Sequence, residues 1–179
     1  MGVAALGLTA MAPAFAESDF QTGNGALTAN ADLDFRVVIP QFISFRVGTA
    51  GAGNVDLVEF SVNAADVGNG VAVGRTNAGG AAIPVALLSN VGNVNLSATG
   101  SGAGLTDGVN TLPWSVISGT SSDAANFPVP GIGAAATTLI AAGSGVINRT
   151  ADWSFQYSNA SVVGAGTYDG TVTYTAATP

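Results

Sequence analysis

Leu27-Thr28-Ala29-Asn30-Ala31-Asp32-Leu33-Asp34-Phe35-Arg36-Val37-Val38-Ile39 decides the fold class. Leu27, Ala29, Ala31, Leu33, Phe35, Val37 and Ile39 occupy every second position, and the positions between are polar until Val38. A period of two, sustained this long, is the mark of a β-strand with one face on a core and one toward water. Pro40 ends or bends it, because proline has no N–H to give a ladder. The alternation resumes in a second phase with Ile43, Phe45 and Val47, opposite Ser44 and Arg46, and residues 48–53 then read as a loop.

Further runs follow the same period: Val58, Phe60 and Val62; Val71 and Val73 after an Asn69-Gly70 turn signal; Ile83, Val85 and Leu87, with Pro84 pointing to an edge or a bulge; and Val94, Leu96 and Ala98. Leu112, Trp114 and Val116 make a short run, residues 137–141 a weak one, and Ala151, Trp153, Phe155 and Tyr157 a strong one. The last is Tyr168, Gly170, Val172 and Tyr174, with threonines on the other face. Gly, Asn and Asp clusters separate the runs. Residues 64–66 and 122–126 offer single helical turns, and 99–111 and 118–136 read as long loops. About eight to ten short strands without a capped helical stripe predict an all-β fold: a single antiparallel β-sandwich over 27–179, Ig-like, with a barrel as the alternative. Residues 17–26 form a linker. Trp153, Phe155, Tyr157, Val172 and Tyr174 are the expected core, and Trp114, after Pro113, is the aromatic expected nearer the surface.

Residues 1–16 are an apolar stretch closing on Ala14-Phe15-Ala16, with Pro13 just before and Glu17-Ser18-Asp19 just after. Small residues in that A-x-A spacing match an export-signal cleavage site, although a basic leading region is missing. The other readings are a buried terminal segment or a retained hydrophobic helix. The stretch is shorter than the roughly 20 apolar residues a membrane span needs, so no transmembrane span is expected.

Composition narrows the function. Of 179 residues, 4 are basic and 11 acidic, a formal net charge of -7, and charged residues are only 8%. Every basic residue is arginine, and Lys, His and Cys are absent. That inventory removes histidine-based triads, thiol nucleophiles, Schiff-base lysines, the phosphate-loop lysine and ordinary zinc sites. Four scattered arginines against eleven acids are the wrong balance for nucleic acid. Asp32 and Asp34 share one face, and with Asp56 and Glu59 they are candidates for a glycosidase pair or a calcium site. The simpler reading is the solvent face of a strand, with Arg36 as local counter-charge. Gly100-Ser101-Gly102-Ala103-Gly104 lacks the strand–helix setting of a phosphate loop. Asn95-Leu96-Ser97, Asn148-Arg149-Thr150 and Asn159-Ala160-Ser161 match the glycosylation sequon, a cheap match in a chain rich in Asn, Ser and Thr. No enzyme, cofactor or metal site is expected.

Gly164-Ala165-Gly166-Thr167-Tyr168-Asp169-Gly170-Thr171-Val172-Thr173-Tyr174 resembles the final strand of secreted bacterial β-sandwich subunits, the chaperone–usher pilins and the spore-coat-U-like class. The absence of cysteine departs from the disulfide common in those pilins. The resemblance implies a subunit that lacks one strand and accepts it from a neighbour, with 27–39 as the donor. Copies would then join head-to-tail into an extracellular filament or surface layer. In the competing reading, 27–39 is the first strand of its own sandwich. A carbohydrate- or host-surface-binding adhesin is the alternative function. A carboxylate hydrolase and an outer-membrane barrel rank lower, the latter for want of aromatic girdles.

Overall fold

The computed structural model describes residues 19–51, 55–77, 82–133 and 137–179. The proposed export signal at 1–16 lies outside them. The chain divides into two units, 1–39 and 40–179. Nearly all regular structure in the second is antiparallel strand, in sheets that do not close into a barrel, and the architecture is a β-sandwich.

The first sheet contains β1 (Ile43–Val47), β2 (Val73–Gly74), β3 (Ala82–Ser89), β7 (Ile117–Ser121) and β9 (Ile147–Tyr157). The second contains β4 (Val94–Gly100), β8 (Thr138–Ile140) and β10 (Val172–Ala177), and β5 (Gly104–Thr106) and β6 (Thr111–Pro113) form a separate hairpin. In the first sheet, β1 pairs β3 and β3 pairs β9, while β2 and β7 pair the far half of β9. In the second, β4 lies between β10 and β8.

Register carries the alternation inward. Val47, Val85 and Ala151 share one row and Phe45, Leu87 and Arg149 the next. From the second sheet come Val94, Leu96, Ala98 and Ile140, all buried. Each fully buried aliphatic side chain contributes about 1.5–3 kcal/mol. Trp153 ties the layers together: its ring lies 5.8 Å from Phe127, edge-on, and 5.2 Å from Tyr174 of β10. Its indole N–H donates to the Phe127 carbonyl at 3.3 Å, so the buried polar atom is satisfied. Phe155 and Tyr157 are buried with it, and Val172 and Tyr174 are half-buried.

Several local expectations are revised. β3 is an interior strand despite Pro84. Gly48 N–H donates to the Pro84 carbonyl just beyond the end of β1, so the missing proline N–H faces a place where the ladder has already stopped. Residues 58–62 form no strand. Val58 and Phe60 still pack on the core, but side chains replace the ladder: Asn77 Oδ1 accepts from Glu59 N–H and Thr76 Oγ1 from Ser61 N–H. The run at 112–116 stops at Pro113, and Trp114–Val116 is a one-turn 3-10 helix. Trp114 is buried, not exposed; a Cβ at Gly100 or Gly170 would run into its indole, so those glycines leave the room it occupies. The run at 168–174 becomes a strand only from Val172. Tyr168 instead donates its hydroxyl to the Gly164 carbonyl, the corner device of Greek-key sandwiches. The stretch expected as a loop at 118–136 begins as β7.

Residues 19–39, the described part of the first unit, hold no strand, and every one of them is exposed. The longest alternating run in the sequence is therefore irregular chain without a partner strand. A single strand has no ladder to satisfy and no second layer to cover it, so pattern alone does not make it regular structure.

Candidate assembly site

Leu27, Ala29, Ala31, Leu33, Phe35, Val37 and Ile39 lie along an irregular segment open to solvent, Phe35 86% exposed and Ile39 75%. Contiguous apolar residues displayed this way mark an interaction segment or an aggregation hazard.

The sandwich has two sides, and they are finished differently. At the β7–β8 side, residues 122–131 cross from one sheet to the other. Phe127 and Pro130 are completely buried there. The Phe127 carbonyl accepts from Ser121 Oγ at 2.7 Å, and Ile132 bridges Ala98 of β4. At the other side lie β1 and β10, the end strands of their sheets, whose Cα atoms approach within 8 Å. Each has a single partner strand among the described residues. Their inward side chains, Ile43, Phe45 and Val47 on β1 and Val172, Tyr174 and Ala176 on β10, are only half-buried. Their counterparts on the interior strands β3 and β4 are fully covered. Half-covered apolar side chains on an end strand are what an edge open to strand addition leaves.

The electrostatics of this side are quiet. Burial pushes the Tyr174 hydroxyl up to about 12, so it stays neutral. The strongest perturbation elsewhere is Asp107, lowered to about 2 by hydrogen bonds from the Asn110 side chain and then from the Asn110 and Val109 backbone N–H groups. It shapes the β5–β6 turn rather than a site.

The entry to β1 is held by one side chain. Asn90 Oδ1 accepts from Phe42 N–H at 2.8 Å, its Nδ2 donates to the Pro40 carbonyl at 2.8 Å, and its own N–H donates to the Phe42 carbonyl at 3.3 Å.

The residues considered for chemistry have other tasks. Asp32 and Asp34 are exposed on the irregular segment. Asp56 Oδ2 accepts from Thr49 N–H and Oγ1, closing the loop after β1, and the Glu59 backbone pairs with Thr76 and Asn77. Among the described residues no three acidic side chains gather as a metal set. Of the sequon asparagines, Asn159 is buried, and its side chain binds Gly68 N–H, the Asp66 carbonyl and Asn69 Oδ1, which leaves it closed to a glycan. No described helix is long and apolar enough to cross a membrane.

Ile43, Phe45 and Val47, read in sequence only as a strand, join the site together with Ala176 and Asn90, which were not singled out. The alternation of Val172 and Tyr174 continues to Ala176 and was there to be followed; nothing local marks Asn90. No protein-family model matches the chain, and neither a curated protein nor a solved structure matches it.

Proposed function

We propose that the protein is a structural subunit, exported and extracellular, whose copies join head-to-tail. Each copy lays residues 27–39 along the open edge of β1 in the next, adding a strand to its first sheet. The protein is a building material and not a catalyst. One observation carries this reading: a long alternating segment stands fully exposed in a chain whose sandwich has one unfinished apolar side. Each large donor side chain stabilises by about 2 kcal/mol when fully covered, and each new ladder hydrogen bond adds about 1 kcal/mol net. Together they account for an association by main-chain pairing with apolar specificity.

The test is assembly of the full chain, followed by sedimentation and negative-stain microscopy. Concentration-dependent filaments or linear oligomers are expected, shortened by a synthetic peptide of residues 27–39 and lost in Phe35→Asp. Monomers at every concentration, with no binding of that peptide, would sink the proposal. The adhesin reading draws less support, because Trp114 and Trp153 are buried and supply no open stacking surface.

A further inference from the structure

A donor segment has a rival for its neighbour's open edge: the free edge of β1 in its own chain. Only Pro40-Gln41-Phe42 separates Ile39 from Ile43. An antiparallel hairpin across those residues would set Ile39 opposite Ile43, Val37 opposite Phe45 and Phe35 opposite Val47, every pair apolar and on the inward face. By pattern alone this closure within one copy is favourable. It is also local, so it would form faster than any encounter between copies.

Three features oppose it. Asn90 follows Ser89, the partner of Ile43, and its side chain and backbone grip both Phe42 and Pro40. Pro40–Phe42 is thereby held as a straight continuation of β1 beside β3, with the amide side chain standing in for one more residue of ladder. A hairpin needs that same stretch to reverse. Secondly, a three-residue hairpin loop places its last residue in the left-handed region, where glycine is at ease and Phe42 is strained. Thirdly, the apolar register sets Arg36 opposite Arg46, like charges facing each other across the pair.

We infer that Asn90 commits residues 27–39 to a second copy of the chain by denying them the β1 edge of their own. The inference rests on the donor reading of that segment. Asn90 acts as a positioning residue: it has no part in the new strand's contacts and decides only which copy receives the strand.

The experiment uses the full chain as wild type, Asn90→Ala and Asn90→Asp. The aspartate keeps an oxygen for Phe42 N–H but cannot donate to the Pro40 carbonyl. Arg46→Glu, on the outward face of β1, relieves the charge clash without touching the clamp. Sedimentation velocity gives the assembled fraction, and hydrogen exchange of amides 28–38 in the monomer fraction reports closure within one copy. Both Asn90 variants should lower the assembled fraction by about tenfold, the equivalent of one or two net hydrogen bonds. Their monomers should gain exchange protection across 28–38. Arg46→Glu should move both readouts the same way, to a smaller extent, and decides the matter if the Asn90 variants fail to fold. Wild-type levels of assembly in the variants, or weakened assembly whose monomers stay unprotected at 28–38, overturn the role of Asn90 while leaving the donor reading in place. A wild-type chain that never assembles removes the donor reading, and this inference with it.

Discussion

Trp153, on β9 of the first sheet, packs against Phe127 of the crossing segment and Tyr174 of the second sheet. Trp153→Ala should therefore cost about 3–5 kcal/mol, read as a lower urea midpoint at unchanged slope. Gly100→Ala places a methyl against the Trp114 indole, where packing has no slack. A loss of about 1–3 kcal/mol is expected, with a shift in Trp fluorescence as the second readout. Asp107 and Tyr174 tie stability to pH at opposite ends of the scale. The Asp107 carboxylate is held to about 2 by Asn110 and Val109, below its ordinary 3.8. A depressed acid stabilises fully above its unfolded value, and the contribution fades as pH falls from about 3.8 toward about 2. Carbon-detected titration should place the Asp107 midpoint near 2, and Asp107→Asn should remove that part of the acid dependence. Tyr174 works in the opposite direction. Its hydroxyl, raised from 10.0 to about 12 by burial, contributes stability that is intact below 10 and is lost as pH rises through 12. Phenolate absorbance should show Tyr174 titrating late, beside a Tyr168 that burial also raises, and Tyr174 later still in assembled material if the added strand covers it.

At the scale of elements, legibility followed burial. β3, β4 and β9 alternate because each has a neighbour on both edges for part of its length and a core beneath, and their residues announce it. β7 does not: Ile-Ser-Gly-Thr-Ser carries a single large apolar residue. Its place is set by pairing with β9 and by Gly119, which lets Val129 approach Phe155. Residues 58–62 fail in the other direction, apolar at the right spacing but served by Asn77 and Thr76 side chains in place of a strand. Residues 27–39 show why a period cannot name a partner. Alternation says that one face must be covered; it does not say by which sheet or by which copy. The alternation of 27–39, the proposed donor, was thus visible in sequence. The open edges of β1 and β10 were not, because being an end strand is a property of topology. Removing the apolar character of one edge should expose the distinction. Phe45→Ser on β1 is expected to destabilise the subunit by only about 1–2 kcal/mol, since the ring is half-covered, yet to lower binding of the 27–39 peptide by about tenfold or more. Isothermal titration against thermal unfolding separates the two.

For the molecule as a whole, the proposed assembly of copies has to work against charge. A net charge of -7 with four arginines makes like copies repel at neutral pH. Raising ionic strength from 0.1 M to 1 M shortens the screening length from about 10 Å to about 3 Å, so assembly followed by light scattering should accelerate with salt. Acidification toward the carboxylate range should have the same effect. Slower assembly in salt would show that opposite charges, and not apolar pairing, bring the copies together.

The placement of β10 carries a consequence in time. This strand is synthesised after every other described element, yet it lines the second sheet beside β4, and its Tyr174 lies against Trp153 at the centre. A ribosome must pass residue 174 before that centre can close, and until then Trp153 has only one of its two ring partners.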